Sequence, residues 1–558
     1  MLNTYLKHLL LTSSLIVLSA CGGGDTSSSS ESGSTPSNGS GGDTPTEPTY
    51  DGTTKGSSST DKLEIHNVKN SEELRKALQD ATSNHKHDKI ILSAGTYKTT
   101  AGNVPGTFTY NDSDAYDLTI TAKKGLNRNQ VIIDGDKKDR IFHFSNTSKG
   151  HTVIVRNMTI KNGYTKFSVT HPNSSSAIYS GNTQLVLQNL LITNNIADSK
   201  RHKIVVDDDR RYRIINRLNI ISHVSDGDKL VIQNCDISNN SEAVFILYLE
   251  KGSPSGGGGV YMSNSIVKGN TVSKSLVNAI FANFKSVQFT KNVSSDNVIK
   301  TRDSLVMDNS TISQNNSHRG LVHSRYLSVE NTTIKNNISG GYLIAGGRGS
   351  LITNSVVSGN KTDFILSVDS LINSTVNNNE ATNTGSSVHS PIIGVGTGIN
   401  TLISGNSSKS LLFSTFKNSI NNTFYNNQSS YSSTRNSSIL LKSAKVLNTV
   451  LAKNKMQKDA EISHIVRNTY LDQNKLNAGS GLINRDNIQS STTNINLNAD
   501  GTLKSSSIAI NNGLNPNSQG FKDVFGNDAA DFKKYLSKDR KGHKRVHGGT
   551  IDMGAFEY

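Results

Sequence analysis

Three arginines, a lysine and a histidine fall at matching places in successive stretches of this chain. The stretches are NVIKTRDSLVMD (297–308), RGLVHSRYLSVE (319–330) and YLIAGGRGSLIT (342–353), each followed by an asparagine. An arginine lies six or seven residues ahead of that asparagine in all three: Arg302, Arg325 and Arg348. Lys300 and His323 precede the first two arginines by two residues, and Asp303, Tyr326 and Tyr342 lie close by. Asp369 falls near the equivalent place one stretch later. Like charges brought together repel, so such a row calls for an acidic ligand or for acidic neighbours. An anionic polysaccharide would supply the ligand, with Arg302, Arg348, Asp303 and Tyr326 as binding residues. The same set suits an elimination on a uronate: a cation neutralises the carboxylate and acidifies the adjacent carbon. Lys300, His323 or Arg325 then removes the proton. The third reading is a solvated basic ridge with salt links between stretches.

Other candidates are weaker. The insertion between Asn195 and Leu230 holds Asp207, Asp208 and Asp209, then Arg210, Arg211 and Arg213, with Asp226 and Asp228 beyond. Clustered carboxylates suit calcium, but the spacing fits no calcium loop and the arginines can neutralise them locally, so a charged surface hairpin is expected. A two-carboxylate hydrolase would need paired Asp or Glu at a defined separation, and no such pair stands out. His464, His543 and His547 show no metal-ligand spacing, and no metal site is assigned. DRKGHKRVHGG (539–549) reads as a basic, solvated loop.

The asparagine used for that alignment belongs to a seven-residue phrase, Asn-x-x-(Ile/Val/Leu/Phe)-x-x-Asn. It reads NLLITNN at Asn189, NCDISNN at Asn234, NSTISQN at Asn309, NTTIKNN at Asn331 and NTVLAKN at Asn448, among others. NMTIKNG at Asn157 ends in glycine, and SVQFTKN at Ser286 has lost its first asparagine. From Asn264 onward the step is roughly 19–27 residues, one turn of a solenoid. Alternating runs such as LVMD (305–308) precede each phrase and read as strands. The first asparagine sits at a bend, where its side chain can bond backbone and tolerate unusual dihedrals, and stacked copies can form a ladder. A Ser or Thr often follows it, as at Ser310, Thr332, Ser355, Ser374, Thr401, Thr449 and Thr469, giving a second column. No single turn buries its own apolar face, so neighbours must stack. A leucine-rich repeat would show a leucine-dominated consensus, which is missing here.

This phrase and its setting resemble the right-handed parallel β-helix repeats of the pectate-lyase-like superfamily, over roughly residues 63–558. The resemblance implies an all-β, single-stranded right-handed parallel β-helix with a short N-terminal capping helix. It also implies that lyases of this fold use Lys or Arg as base, often with calcium, so calcium is a candidate cofactor. The segment 71–100 resembles the entry to such helices. A helix is expected with Ser71 as N-cap, Glu72 and Glu73 in the first turn, and Leu74, Ala77, Leu78 and Ala81 on one face. The ending GGTIDMGAFEY (548–558) resembles the C-terminus of β-helix proteins with a choice-of-anchor Q region, mostly surface or envelope proteins.

The chain has 558 residues, a net charge of +15 and no tryptophan. Its N-terminus reads as a targeting segment: Lys7 and His8, an apolar run from Leu9 to Leu18, then LSAC ending at Cys21. LSAC resembles the bacterial lipobox, which implies cleavage before Cys21, lipidation of its thiol and residence at the outer membrane. Residues 22–60 are rich in Gly, Ser, Thr and Pro and read as a flexible tether with a reach of roughly 35 Å. The expected organisation is a signal at 1–20, lipidated Cys21 and tether at 21–60, and a cap with first coils at 61–150. Repeats follow at 151–515 and a C-terminal capping segment at 516–558, holding the amphipathic stretch AADFKKYLSK (529–538). Cys235, the remaining thiol, lacks an intramolecular partner and reads as a small core residue. The basic charge favours acidic glycans, and no nucleic-acid motif is present. Three functions stay open: a monomeric, adhesin-like surface protein binding acidic or host glycans, a polysaccharide lyase, and a structural spacer.

Overall fold

The computed structural model describes residues 63–558 except 114–115, 147–150, 167–172, 199–203, 207–211, 215–216, 226–227, 252–258, 384–389, 411, 431–437, 457, 473–475, 479–483, 492–494 and 547–548. The chain separates into two units, Met1–Gly56 and Ser57–Tyr558. The first, with the expected signal, Cys21 and most of the expected tether, lies outside the described residues. The second is a right-handed parallel β-helix with 6 % helix.

One coil shows the plan. Gly320–Ser324 forms a first face, Tyr326–Glu330 a second, Thr333–Lys335 a third and Ile338–Ser339 a short fourth. Each strand pairs in parallel with its counterpart one coil away, as in Val322↔Ile344, Val329↔Ile352, Ile334↔Val357 and Ile338↔Lys361. Residues facing inward on one coil therefore stack on their equivalents. Ile312, Ile334, Val357, Val376, Ile403, Phe424 and Leu451 form such a buried column, and it is the apolar position of the seven-residue phrase. Burying a large aliphatic side chain contributes about 1.5–3 kcal/mol, and the stack repeats that gain coil after coil.

Both ends of the phrase are bends. Its first residue adopts a left-handed conformation, with φ of 46° at Asn309, 49° at Asn331 and 48° at Asn354. Its sixth does so too, with φ of 57° at Gln314, 56° at Asn336 and 63° at Gly359. Asparagine and glycine tolerate this region best. The continuous amide ladder runs through the seventh residue rather than the first. Asn195, Asn240, Asn270, Asn292, Asn315, Asn337, Asn360, Asn379, Asn406 and Asn427 are buried. In each rung an Oδ1 accepts from the backbone N–H and the Nδ2 of the asparagine one coil before, as Asn337 does from Asn315 at 2.9 and 3.0 Å. The Nδ2 also donates to a carbonyl of the coil before, as Asn315 does to Phe289 at 2.9 Å. The seventh residue turns inward, where amides lack water and must find each other. The first asparagines are joined in places only, as Asn189 to Asn157 at 3.0 Å and Asn400 to Asn373 at 3.1 Å.

The ladder stops where the sequence does. At Gly163 a Cβ would fall onto the carbonyl of Ser176, so the position takes a bare N–H, which donates to Oδ1 of Asn195 at 2.8 Å. The hydroxyl column is also present. The side chain of Ser310 donates to the Asp308 carbonyl at 2.8 Å and accepts from the N–H of Val287 at 3.1 Å. Thr332, Ser355 and Ser374 repeat the pattern. Cys235 occupies this same column. It is buried, its N–H donates to Ser265 Oγ at 3.0 Å, and burial pushes its thiol up to about 12.

The N-terminal helix α1 (Ser71–Asp80) covers the first coils with Leu74, Ala77 and Leu78, followed by Ala81. Its N-cap is Asn70, one residue before the expected Ser71. Asn70 accepts from the N–H of Glu73 at 2.9 Å, and Glu73 reaches back to the N–H of Lys69 at 2.8 Å, a reciprocal capping arrangement. Ser71 is buried within the first turn.

The C-terminal segment was expected to cap the last coil. Its described contacts lie along the flank of the coils. Helix α2 (Gln519–Phe525) and helix α3 (Ala529–Lys533) bring Phe521, Val524, Phe525 and Ala529, with Leu536 beyond, against Ile372, Ile399, Ile420 and Leu447 of the second face. Ala555 and Phe556 meet Leu402. Arg545 is buried and donates to Asn400 Oδ1 at 3.2 Å, to the carbonyl of Gly554 at 2.6 Å and to Glu557 at 3.1 Å. Residues 551–558, the conspicuous ending of the chain, are thus folded into a clasp.

Candidate functional site

The first face carries one outward column in strict register. It runs His143, Tyr179, Ser222, Tyr248, Asn278, Lys300, His323, Ala345, Ser367, Gly394, Thr415, Lys442 and Glu461. Alternation along each strand turns these residues away from the core that their neighbours fill, although Ser222 and Tyr248 are themselves covered. Lys300 and His323 are therefore direct neighbours on adjacent coils, as their common spacing from the arginines suggests.

Charge along this column is compensated at one place and in surplus at another. Lys442 pairs with Glu461 across coils at 3.2 Å. Lys300 instead faces His323, and its acidic partner is Asp296 on its own strand's approach, at 3.5 Å. Asp296 is shared with Arg319 at 4.0 Å. Partial burial first, and then the Lys300 ammonium, hold the His323 imidazole below its ordinary range, with Asp296 opposing. Its neutral form therefore prevails near neutral pH.

The arginines line the corner where the first face turns into the second. Arg302 pairs with its neighbour Asp303 at 3.7 Å, an exposed contact of little energetic weight. The Arg325 guanidinium lies 5.3 Å from the ring centre of Tyr326, which is 39 % exposed. Arg348 falls out of strict register. Ser324 pairs with Gly346 and Ser328 with Leu351, so this corner holds one more residue than the coil before, and Gly347 rather than Arg348 lies over Arg325. Asp369 Oδ2 accepts from the N–H of Gly349 in that turn. Among the described residues, neither Arg325 nor Arg348 forms an ion pair. Lys300, His323, Arg302, Asp303, Arg325 and Tyr326 thus share one surface, with Arg348 at its edge.

Aromatic rings extend the face. His143 and Tyr179 stack at 4.7 Å, and Tyr342 stacks on Phe364 at 4.5 Å. Tyr248, Asn278 and Asp296 escape a sequence reading aligned on the phrase. The chain between Tyr248 and Asn264 contains an insertion, so Tyr248 sits sixteen residues ahead of its asparagine while Lys300 sits nine ahead. Counting from the strand start would have found it. Residues 207–211 of the charged insertion lie outside the described residues; Ile204–Val206 and Tyr212–Ile214 pair antiparallel on either side. His547, and Cys21 with its expected lipidation, also lie outside them. Among the described residues no three His, Cys, Asp or Glu side chains converge as a metal-binding group.

No family model and no curated protein matches the chain. Several solved structures are similar to it. One is the alginate lyase AlyF-OU02 in complex with G6, at 12 % identity over 67 % of this chain and 87 % of that one, with a TM-score of 0.34. The A-module of the Azotobacter vinelandii mannuronan C-5 epimerase AlgE6 is 11 % identical over 76 % and 96 %, with a TM-score of 0.27. The pectate lyase Pel9A is 14 % identical over 89 % and 97 %, with a TM-score of 0.23. These likenesses assign neither an activity nor a ligand to this chain.

Proposed function

We propose that the first face binds an anionic polysaccharide, and that the protein is an adhesin-like surface lipoprotein anchored through Cys21 in the bacterial outer membrane. The observation that carries the binding is the surplus of cations on this surface: Arg325 and Arg348 form no ion pair among the described residues, and Lys300 and Arg319 share the single carboxylate of Asp296, whereas Lys442 is matched one coil away. Cations left unmatched on an open surface attract polyanions and lose that attraction in salt. Tyr326 and the Tyr342–Phe364 stack offer apolar flanks to the sugar rings.

The lipobox-like LSAC and the ending similar to choice-of-anchor Q proteins support the surface address. The test is retention of the soluble body, from residue 57 onward, on alginate, pectate and a neutral glucan. Retention on the acidic gels alone, weakened in Lys300→Ala and Arg325→Ala, supports the reading. Equal retention on all gels, or none, rejects it.

A lyase remains the second reading, favoured by the neutral His323 beside a fixed cation. The base would take the proton next to the uronate carboxylate, the carbon–oxygen bond to the leaving sugar would break, and a carbon–carbon double bond would form. In that reading calcium would serve, as the arginines do, to neutralise the uronate carboxylate. Ultraviolet absorbance of the new double bond distinguishes the two readings.

A further inference from the structure

Charge changes sign along the surface that carries Lys300 and His323. In the register of the first face these two are followed by Ala345, Ser367, Gly394 and Thr415, none of them charged. Two residues further along each strand, at the corner, the same coils place Arg302, Arg325, Gly347, Asp369, Gly396 and Lys417. The corner thus carries cations, then a carboxylate, then a cation again. We infer that this surface selects a polysaccharide in which uronate units alternate with uncharged sugars, and that Asp369 is the residue that disfavours a chain charged on every unit. The inference rests on the anionic reading given above and names the class of chain.

Residues in register on successive coils define a line along the solenoid axis. A chain laid on that line meets Lys300, His323 and Arg325 first and then passes over Ala345 and Ser367. There the chemistry differs. Tyr342 and Phe364, each three residues earlier on the same strands, stack at 4.5 Å on one side. Asp369 stands on the other side and is half-buried. Its Oδ2 accepts from the N–H of Gly349, and its own N–H donates to Ser350 Oγ at 2.9 Å, so the residue is held in place. Among the described residues Asp369 forms no ion pair, not even with Arg348 in the exposed turn of the coil before. Coils repeat at about 4.8 Å, so Asp369 stands about 10 Å along the axis from the corner positions of both Arg325 and Lys417.

This order of groups discriminates between sugars. An ionised carboxylate only accepts hydrogen bonds, so Asp369 takes a sugar hydroxyl or an acetamido N–H and repels a second carboxylate. The Tyr342–Phe364 pair suits the C–H surface or the acetamido methyl of an uncharged sugar. A uronate is matched at Arg325, where the guanidinium has no carboxylate of its own, and again toward Lys417, which forms no ion pair among the described residues. A chain charged on every unit gains at those two places and is opposed between them.

The probes are two hexasaccharides titrated calorimetrically into the full chain in detergent at low salt. One is a hyaluronan fragment, in which glucuronate alternates with N-acetylglucosamine; the other is an oligomannuronate, charged on every unit. A surface that responded to total charge alone would prefer the oligomannuronate. The hyaluronan fragment should instead bind about 3–10-fold tighter, the range that exposed charges supply. Asp369→Asn keeps the shape and an acceptor for Gly349, and it should strengthen oligomannuronate binding by about 3–10-fold while leaving the hyaluronan fragment within about 2-fold. Asp369→Ser should act in the same direction, and an unaltered circular dichroism spectrum shows that both variants fold. Equal affinities, tighter binding of the oligomannuronate, or a ratio that Asp369→Asn and Asp369→Ser leave unchanged would each overturn the inference while the anionic site stands. Binding of neither probe would remove the anionic site and the inference together.

Discussion

Lys300 and His323 are cross-coil neighbours in register, and the ammonium of the first adds to partial burial in keeping the imidazole of the second below its ordinary range. Two basic groups placed this way favour any ligand that brings a negative charge between them. A bound carboxylate would raise the His323 value, so affinity should increase as pH falls toward the range in which the free imidazole protonates. Lys300→Ala removes one of the causes of the lowering. Its His323 titration, followed by nuclear magnetic resonance, should move upward; an unmoved titration would show that the two groups do not sense each other.

Salt provides a separate check on the anionic site. Raising the salt from 0.05 to 0.5 M should weaken retention on alginate steeply, since exposed charges are screened within a few ångströms at high salt. Arg325→Ala should reduce affinity by roughly 3–10-fold and flatten the salt dependence, in keeping with an exposed charge. Arg302→Ala should do less, because Asp303 already occupies part of that guanidinium.

The asparagine ladder makes a strong stability prediction. In Asn315→Ala the N–H and Nδ2 of Asn292 lose their acceptor and the Phe289 carbonyl loses its donor, all inside the stack. Each buried group left unmatched costs about 1–3 kcal/mol, so a loss of about 3 kcal/mol or more is expected in denaturant titration. Ser286→Asn should act in the opposite direction. Ser286 sits at φ 54°, where asparagine is more at ease, and a gain of about 0.5 kcal/mol is expected.

Cys235 should be inert in the folded protein, given its burial and its thiol pushed up to about 12. Iodoacetamide should label it in urea but not in buffer. Cys235→Ser should be tolerated within about 1 kcal/mol, because neighbouring coils place serine and threonine in that column.

The clasp carries a pH signature. Glu557 is raised to about 8, first by burial and also by Asp552 and Asp539, with Arg545 opposing. A carboxyl raised on folding contributes most below its unfolded value and loses that contribution as pH rises through the folded one. Stability contributed by the clasp should therefore decline between about pH 4.5 and 8, and Glu557→Gln should flatten that slope. Arg545→Met removes the cation that faces Asp539, Asp552 and Glu557 and should destabilise by about 3–5 kcal/mol, seen as early proteolysis of residues 514–558.

Much of the coil plan was legible because a solenoid repeats its demands. Left-handed bends need asparagine or glycine, the interior needs one branched aliphatic residue per pass, and both recur visibly at Asn309, Ile312 and Asn315. What the pattern does not separate is which asparagine forms the ladder, since both ends of the phrase carry one and only burial distinguishes Asn315 from Asn309. The helix at 71–80 was readable from Leu74, Ala77 and Leu78, while Asn70 and Ser71 are equally good caps on composition. The site was partly legible: Lys300 and His323 align, but Arg348 slips by one because a turn lengthens at Gly346–Ser350. Tyr248 was hidden by an insertion. The flank position of Phe521 and Ala555 had no local signal, because it depends on partners far away in sequence, such as Ile399 and Leu402.

Those distant partners change how the C-terminal half must assemble. A stack joined only to its neighbours can grow from any coil and fray from any end. Arg545 reaches Asn400 across 145 residues of sequence, and the N–H of Ala555 reaches Thr423 Oγ1 across 132. The coils from about 351 to 472 therefore close into a loop in chain connectivity. During synthesis their second face has no cover until residues 521–536 emerge, and contacts this distant in sequence are expected to form late. A stop codon removing residues 551–558 would thus be felt far upstream of the cut, at Leu402 and Thr423.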